Sequence, residues 1–174
     1  RLHRRYPLRD YPDITHAVRC QYPVPWWDPA FNLTLGREPV NPRPAFYATI
    51  HDRLAPYTDG FISYSDGVND DFNKAFWTRK SWDPDASVRD LTLDYTRLFF
   101  GTSVAERAAD ALLALERNWE GPLAANGGVE ATLALWRELE AAAPELGDTW
   151  RWQMHVMRAY YDAYKREREV RETA

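Results

Sequence analysis

From Ser103 to Tyr164 the apolar residues recur every three or four positions in three successive runs, which commits most of the second half of the chain to packed helices. The first run sets Ala105, Ala108, Leu112, Leu115 and Trp119 behind Ser103-Val104-Ala105-Glu106, which has the form of a capping box, and Gly121-Pro122 ends it. The second, residues 129–143, places Val129, Leu133 and Trp136 on one face, with Leu135 and Leu139 widening it and Pro144 and Gly147 stopping it. A third starts near Asp148-Thr149 and carries Trp150, Met154, Met157, Tyr161 and Tyr164 toward the charged tail KREREVRETA. Three amphipathic helices with short joints predict a small bundle. His155 falls between the aromatic stripes and reads as a hydrogen-bonded structural histidine.

The first half is punctuated differently. LRDYPDITH, residues 8–16, predicts a short extended segment, brief because Pro12 has no ladder donor. QYPVPWWDPAFNLTLGREPVNPRP then carries six prolines together with Trp26 and Trp27, and no regular element runs far through it; so long an irregular stretch is typically a binding loop. Asn41-Pro42 marks a helix start, with Phe46, Ile50 and Leu54 on its inner face. Phe61, Ile62, Ser63 and Tyr64 follow as a second buried strand, and Asn69 or Asp70 caps the next helix. Ser87, with Asp90 three residues on, caps a further helix that runs through Leu91, Tyr95 and Leu98 to Gly101. A helix joining two strands makes them parallel neighbours. The expectation is therefore α/β but mostly helical, with strand and helix units in residues 1–82 and a helical region in residues 83–174.

Composition narrows the partners. With 45% of 174 residues hydrophobic, the chain can bury one core, and no run approaches the roughly 20 apolar residues of a membrane span, so a soluble chain is expected. The net charge of −4, from 22 basic and 26 acidic residues spread throughout, leaves no footprint for nucleic acid. A lone cysteine, Cys20, excludes an internal disulfide and a cysteine-based zinc site, and no metal or cofactor is expected. Eight Trp and ten Tyr suit either sugar stacking or a large aromatic core. RLHRRYPLRDYPD enters abruptly, as though it continued a preceding element, and reads as part of a longer protein.

Ligands in α/β proteins gather beyond the carboxyl ends of the strands. Two polar sets occupy such positions. One is Tyr64, Asp66, Asn69 and Asp70; the other is Asp13, His16 and Arg19, with Trp26 or Trp27 from the proline-rich loop as a wall. Each member also has a plain structural account as a turn residue, a helix cap or a seam filler, and it is their concentration after short apolar runs that marks a site. Asp13 and Asp66 are the carboxylates at strand ends, and either could serve as base, nucleophile or sugar-hydroxyl ligand.

YPDITHAVRCQYPVP, DGFISYSDGVNDDFNKAFW and SWDPDASVRDLTLDYTRLFFG, followed by a helical tail, resemble the end of a glycoside hydrolase. The arrangement is similar to the last β/α units and C-terminal helical region of the alpha-glucuronidase and alpha-N-acetylglucosaminidase type, and WDPDASVRDLTLDY resembles the step that leads out of the barrel in alpha-glucuronidases. The resemblance implies the final units of a (β/α)8 TIM barrel, a carbohydrate substrate, and the rest of the barrel or another chain as partner. Such an enzyme needs two carboxyl groups across the scissile bond, so at least one catalytic acid would lie outside this sequence. Arg19 would pair with a substrate carboxylate if the sugar is a uronic acid. Two other readings stand beside this one: a non-catalytic carbohydrate-binding module that stacks sugars on Trp26, Trp27 and Tyr64, and a helical interaction module.

Overall fold

In the computed structural model, residues 6–12, 14, 40–63 and 68–173 are described. They form six α-helices: α1 Pro44–Leu54, α2 Asp71–Trp82, α3 Val88–Phe100, α4 Ala105–Arg117, α5 Gly128–Ala142 and α6 Trp150–Thr173. Short 3₁₀ turns at Ala55–Tyr57, Val68–Asp70, Leu123–Ala125 and Pro144–Asp148 join them.

Helix α3 has both expected punctuation marks. Ser87 Oγ accepts from Asp90 N at 3.1 Å and donates to Asp90 Oδ2 at 2.7 Å, while Gly101 turns away at φ 83°, a conformation that a side chain disfavours. Helix α4 presents Ala105, Ala108, Ala109 and Ala111 to the interior with Leu112 and Leu115. These small side chains let α3 lie close, and Thr96 Oγ1 reaches across to Ala105 O at 2.9 Å. The predicted capping box does not form: α4 starts at Ala105 after Val104, with no side-chain cap, and Ser103 is exposed.

Helix α4 packs on α3 and α5, α5 packs on α6, and α1 and α2 lie against each other and the start of the bundle. One apolar cluster joins them, running from Ile14, Tyr47, Phe72, Phe76 and Trp77 through Leu91, Tyr95, Phe100 and Leu112 to Trp136, Leu139 and Trp152. By area, an aromatic or leucine side chain fully buried there stabilises the fold by about 1.5–3 kcal/mol.

The α/β barrel expectation is corrected by this architecture. Among the described residues there is no β-strand, and the chain is helical throughout its regular structure. Segments 8–12 and 59–62 do run side by side and parallel, but they meet in one isolated bridge, Asp10 to Phe61. Asp59 N donates to Leu8 O at 2.7 Å, Asp10 N to Gly60 O at 2.9 Å and Ile62 N to Asp10 O at 2.9 Å. Pro7 and Pro12 bracket the first segment without N–H groups, so the ladder stops there. The helices bury their apolar faces on one another instead of on a sheet, and no TIM-barrel unit is formed among the described residues.

The inner faces of two helices also differ from expectation. On α1, Phe46 and Leu54 are exposed while Tyr47, Ala48 and His51 are buried. On α6, Trp150 and Tyr164 are exposed, and the buried stripe is Trp152, Met154, His155, Val156, Arg158, Ala159 and Asp162. Aromatic residues can keep a polar tip wet, whereas a polar residue with dedicated partners can be buried. Periodicity that counts only apolar residues therefore picked the wrong edge of each helix.

Candidate functional site

Beside the parallel pairing, a half-open pocket of about 270 Å³ is lined by Asp10, His51, Thr58, Asp59, Phe61, Trp77 and Ser81, with Ala55, Gly60 and Pro84 completing the wall. It is bordered by α1, α2 and the paired segments 8–12 and 59–62. Trp77 is the floor. The edges of Tyr47, His51 and Phe61 meet its ring at centroid distances of 6.0, 5.5 and 6.3 Å, which fixes the indole.

The charged residues of the described lining, Asp10 and Asp59, are both acidic. Asp10 Oδ1 accepts from Tyr11 N at 2.8 Å and Asp59 Oδ2 from Leu8 N at 3.1 Å, leaving the second oxygen of each without a partner among the described residues. Trp77 Nε1 and Ser81 Oγ are sealed from bulk water and lack a hydrogen-bond partner among those residues. An orphaned buried donor is worth about 1–3 kcal/mol to whatever group satisfies it. The neighbouring cation is fully engaged: Lys80 Nζ contacts Asp52 Oδ1 at 3.2 Å, Pro84 O at 2.5 Å and Ala86 O at 3.4 Å. Tyr11, Tyr57 and Trp82, each adjacent in the chain to a lining residue, stand at the surface with exposures of 61, 74 and 85%.

Of the residues singled out from sequence, Asp13, His16, Arg19, Trp26, Trp27, Tyr64 and Asp66 lie outside the described residues. Asn69 and Asp70 are described: Asn69 is half-buried, Asp70 is fully buried, and neither lines the pocket. Asp70 stands at the N-cap of α2, yet its side chain makes no capping hydrogen bond. The next residue, Asp71, bonds across the fold. Asp71 accepts from Arg151 Nε at 2.7 Å, Arg151 Nη2 at 3.0 Å and Tyr95 Oη at 2.8 Å. Burial, followed by the Asp71 carboxylate, pushes the Tyr95 hydroxyl above the ordinary phenol range.

Sequence reasoning passed over the pocket residues Asp10, His51, Asp59, Trp77 and Ser81 as well. For Asp59 the available signal was the turn-forming pair Asp59-Gly60; Trp77 and Ser81 lie one helical turn apart on α2, which could have marked them as one face.

His155 is buried as expected but is not hydrogen-bonded. Both ring nitrogens lack partners among the described residues, and Phe72, Tyr95, Phe100 and Trp136 surround the imidazole at 6.1–6.3 Å between ring centroids. Desolvation lowers its pKa to about 4, with Asp71 opposing weakly, so it is neutral at physiological pH.

No family model matches the chain, nor does any curated protein or solved structure. Among the described residues no cluster of three or more His, Cys, Asp or Glu could hold a metal ion, and no helix is long and apolar enough to cross a membrane.

Proposed function

We propose that the chain is part of a carbohydrate-active hydrolase and contributes a sugar-binding pocket to it. The observation that carries this reading is the lining of the pocket. Carboxylate acceptors at Asp10 and Asp59 and the half-buried ring of Phe61 line a cavity of about 270 Å³, with Trp77 and Ser81 in its wall. A sugar ring suits such a lining, with hydroxyls that donate to the carboxylates and an apolar face that stacks. The resemblance of the surrounding segments to glycoside hydrolases supports the same substrate class, although it no longer rests on a barrel.

Cleavage is assigned to the assembled protein and not to this pocket alone, because hydrolysis needs an acid and a base or nucleophile held about 5–10 Å apart across the bond. Following the Trp77 indole N–H by NMR during titration with methyl glycosides tests the proposal, with aryl glycosides assayed in parallel. The expected outcome is a saturable shift of the Trp77 resonance with little or no aglycone release. A folded chain whose Trp77 signal ignores every sugar would overturn it.

The second reading, a helical interaction module, is favoured by Trp82, Tyr57 and Leu98, exposed at 85, 74 and 74%. Concentration-dependent sedimentation that is abolished by Trp82→Ser would support that reading over the first.

A further inference from the structure

Resting on the sugar-binding reading, we infer that the pocket selects a neutral or amino sugar and rejects a uronic acid. Charge decides this. Among the described residues the ionisable groups lining the pocket are Asp10, Asp59 and His51, and the two carboxylates each keep one oxygen without a partner there. A hydroxyl or ammonium group can donate to those oxygens, whereas a uronate carboxylate brings only acceptors and a like charge.

A uronic acid site ordinarily offers a cation, best of all the fork of an arginine. Among the described residues no arginine or lysine lines this pocket. Lys80, next to Ser81 on α2, has its three donors directed to Asp52, Pro84 O and Ala86 O, and turning it toward a ligand would strip Asp52 and two carbonyls at once. His51 is turned elsewhere, its Nδ1 facing Asp52 Oδ1 at 3.4 Å and its ring held edge-on to Trp77. The other polar side chains of the described lining, Thr58 and Ser81, are neutral.

The test is titration of the chain with methyl glucoside, methyl glucosaminide and methyl glucuronide at low and high salt, read at the Trp77 indole N–H. At low salt the glucuronide is expected to bind at least about tenfold more weakly than the glucoside, the size of effect one nearby uncompensated like charge produces. High salt should narrow the gap, and Asp10→Asn and Asp59→Asn should each narrow it at low salt as well. Both aspartates are at least partly exposed, so these variants are expected to keep the wild-type thermal transition. Equal or tighter glucuronide binding overturns the selectivity while leaving the sugar reading intact. Binding of none of the three by a folded chain overturns both, and binding that leaves the Trp77 signal and the Ser81→Ala variant unaffected places the sugar elsewhere and overturns this pocket's role.

Discussion

Arg158 and Asp162 face each other one turn apart on α6, Nε donating to Oδ1 at 2.8 Å, with the carboxylate wholly sealed from water and the guanidinium nearly so. The pair survives burial because its remaining valences are met. Asn118 Nδ2 and Trp119 Nε1 each donate to Asp162 at 3.0 Å, Arg158 Nη1 donates to Val40 O at 2.7 Å, and Thr132 Oγ1 donates to Asn118 Oδ1 at 3.0 Å. Burial raises the Asp162 carboxyl above its ordinary value against the pull of these partners. The network ties α6 to the end of α4, the start of α5 and the segment before α1.

Removing one partner of such a pair strands the other. Asp162→Ala is expected to lower unfolding free energy by about 3–5 kcal/mol, read from the urea midpoint, while the double variant Asp162→Leu, Arg158→Met should recover part of the loss. A single variant within 1 kcal/mol of wild type, to take a rough threshold from exposed ion pairs, would show that the network carries little of the stability.

His155 makes stability depend on acid. Its pKa is about 4 in the fold against 6.5 for the ordinary group, so the unfolded chain binds the proton more readily. Its contribution is intact above the unfolded value, and stability falls as pH drops from 6.5 toward 4. The loss amounts to roughly 3 kcal/mol at the lower end. His155→Leu should flatten that part of the pH profile; an unchanged difference between pH 7 and 4.5, taken as rough brackets of the window, would count against the buried neutral imidazole.

The two serines predicted to cap helices separate cleanly. Ser87→Ala should cost about 1 kcal/mol, because Asp90 N loses its acceptor. Ser103→Ala should be close to neutral, since α4 begins without a side-chain cap and Ser103 is exposed. Thermal melts of both variants decide it.

Helix α1 is capped from a distance. Glu116 of α4 accepts from Ala45 N and Phe46 N, both at 2.9 Å. Glu116→Ala is expected to cost about 1 kcal/mol, as loss of an N-terminal acceptor does elsewhere. Faster amide exchange confined to the first turn of α1 would accompany it; an unchanged exchange pattern would assign Glu116 no capping role.

What could be read from sequence was whatever neighbours in the chain decide. The runs at helical spacing, Ser87 three residues before Asp90 N, and the left-handed Gly101 each depend on atoms a turn apart, and each predicted element of the second half is present. Among candidate residues, local reading did not reach Asp71, because only the distant Arg151 and Tyr95 mark it as a carboxylate that bonds across the fold.

By itself the sequence determined that this chain would be helix-rich, with its helices beginning and ending close to their caps and glycines, since hydrogen bonding and steric limits within a turn are local. Only the tertiary structure decided that segments 8–12 and 59–62 meet in one bridge rather than extend into strands of a sheet, and that Asp10, Asp59, Trp77 and Ser81 surround one pocket. It also decided that α6 turns His155, Arg158 and Asp162 inward in place of Trp150 and Tyr164. The physical reason is the same in each case: a polar group can be buried where another part of the chain supplies its partner, and that partner is fixed by packing between residues far apart in sequence.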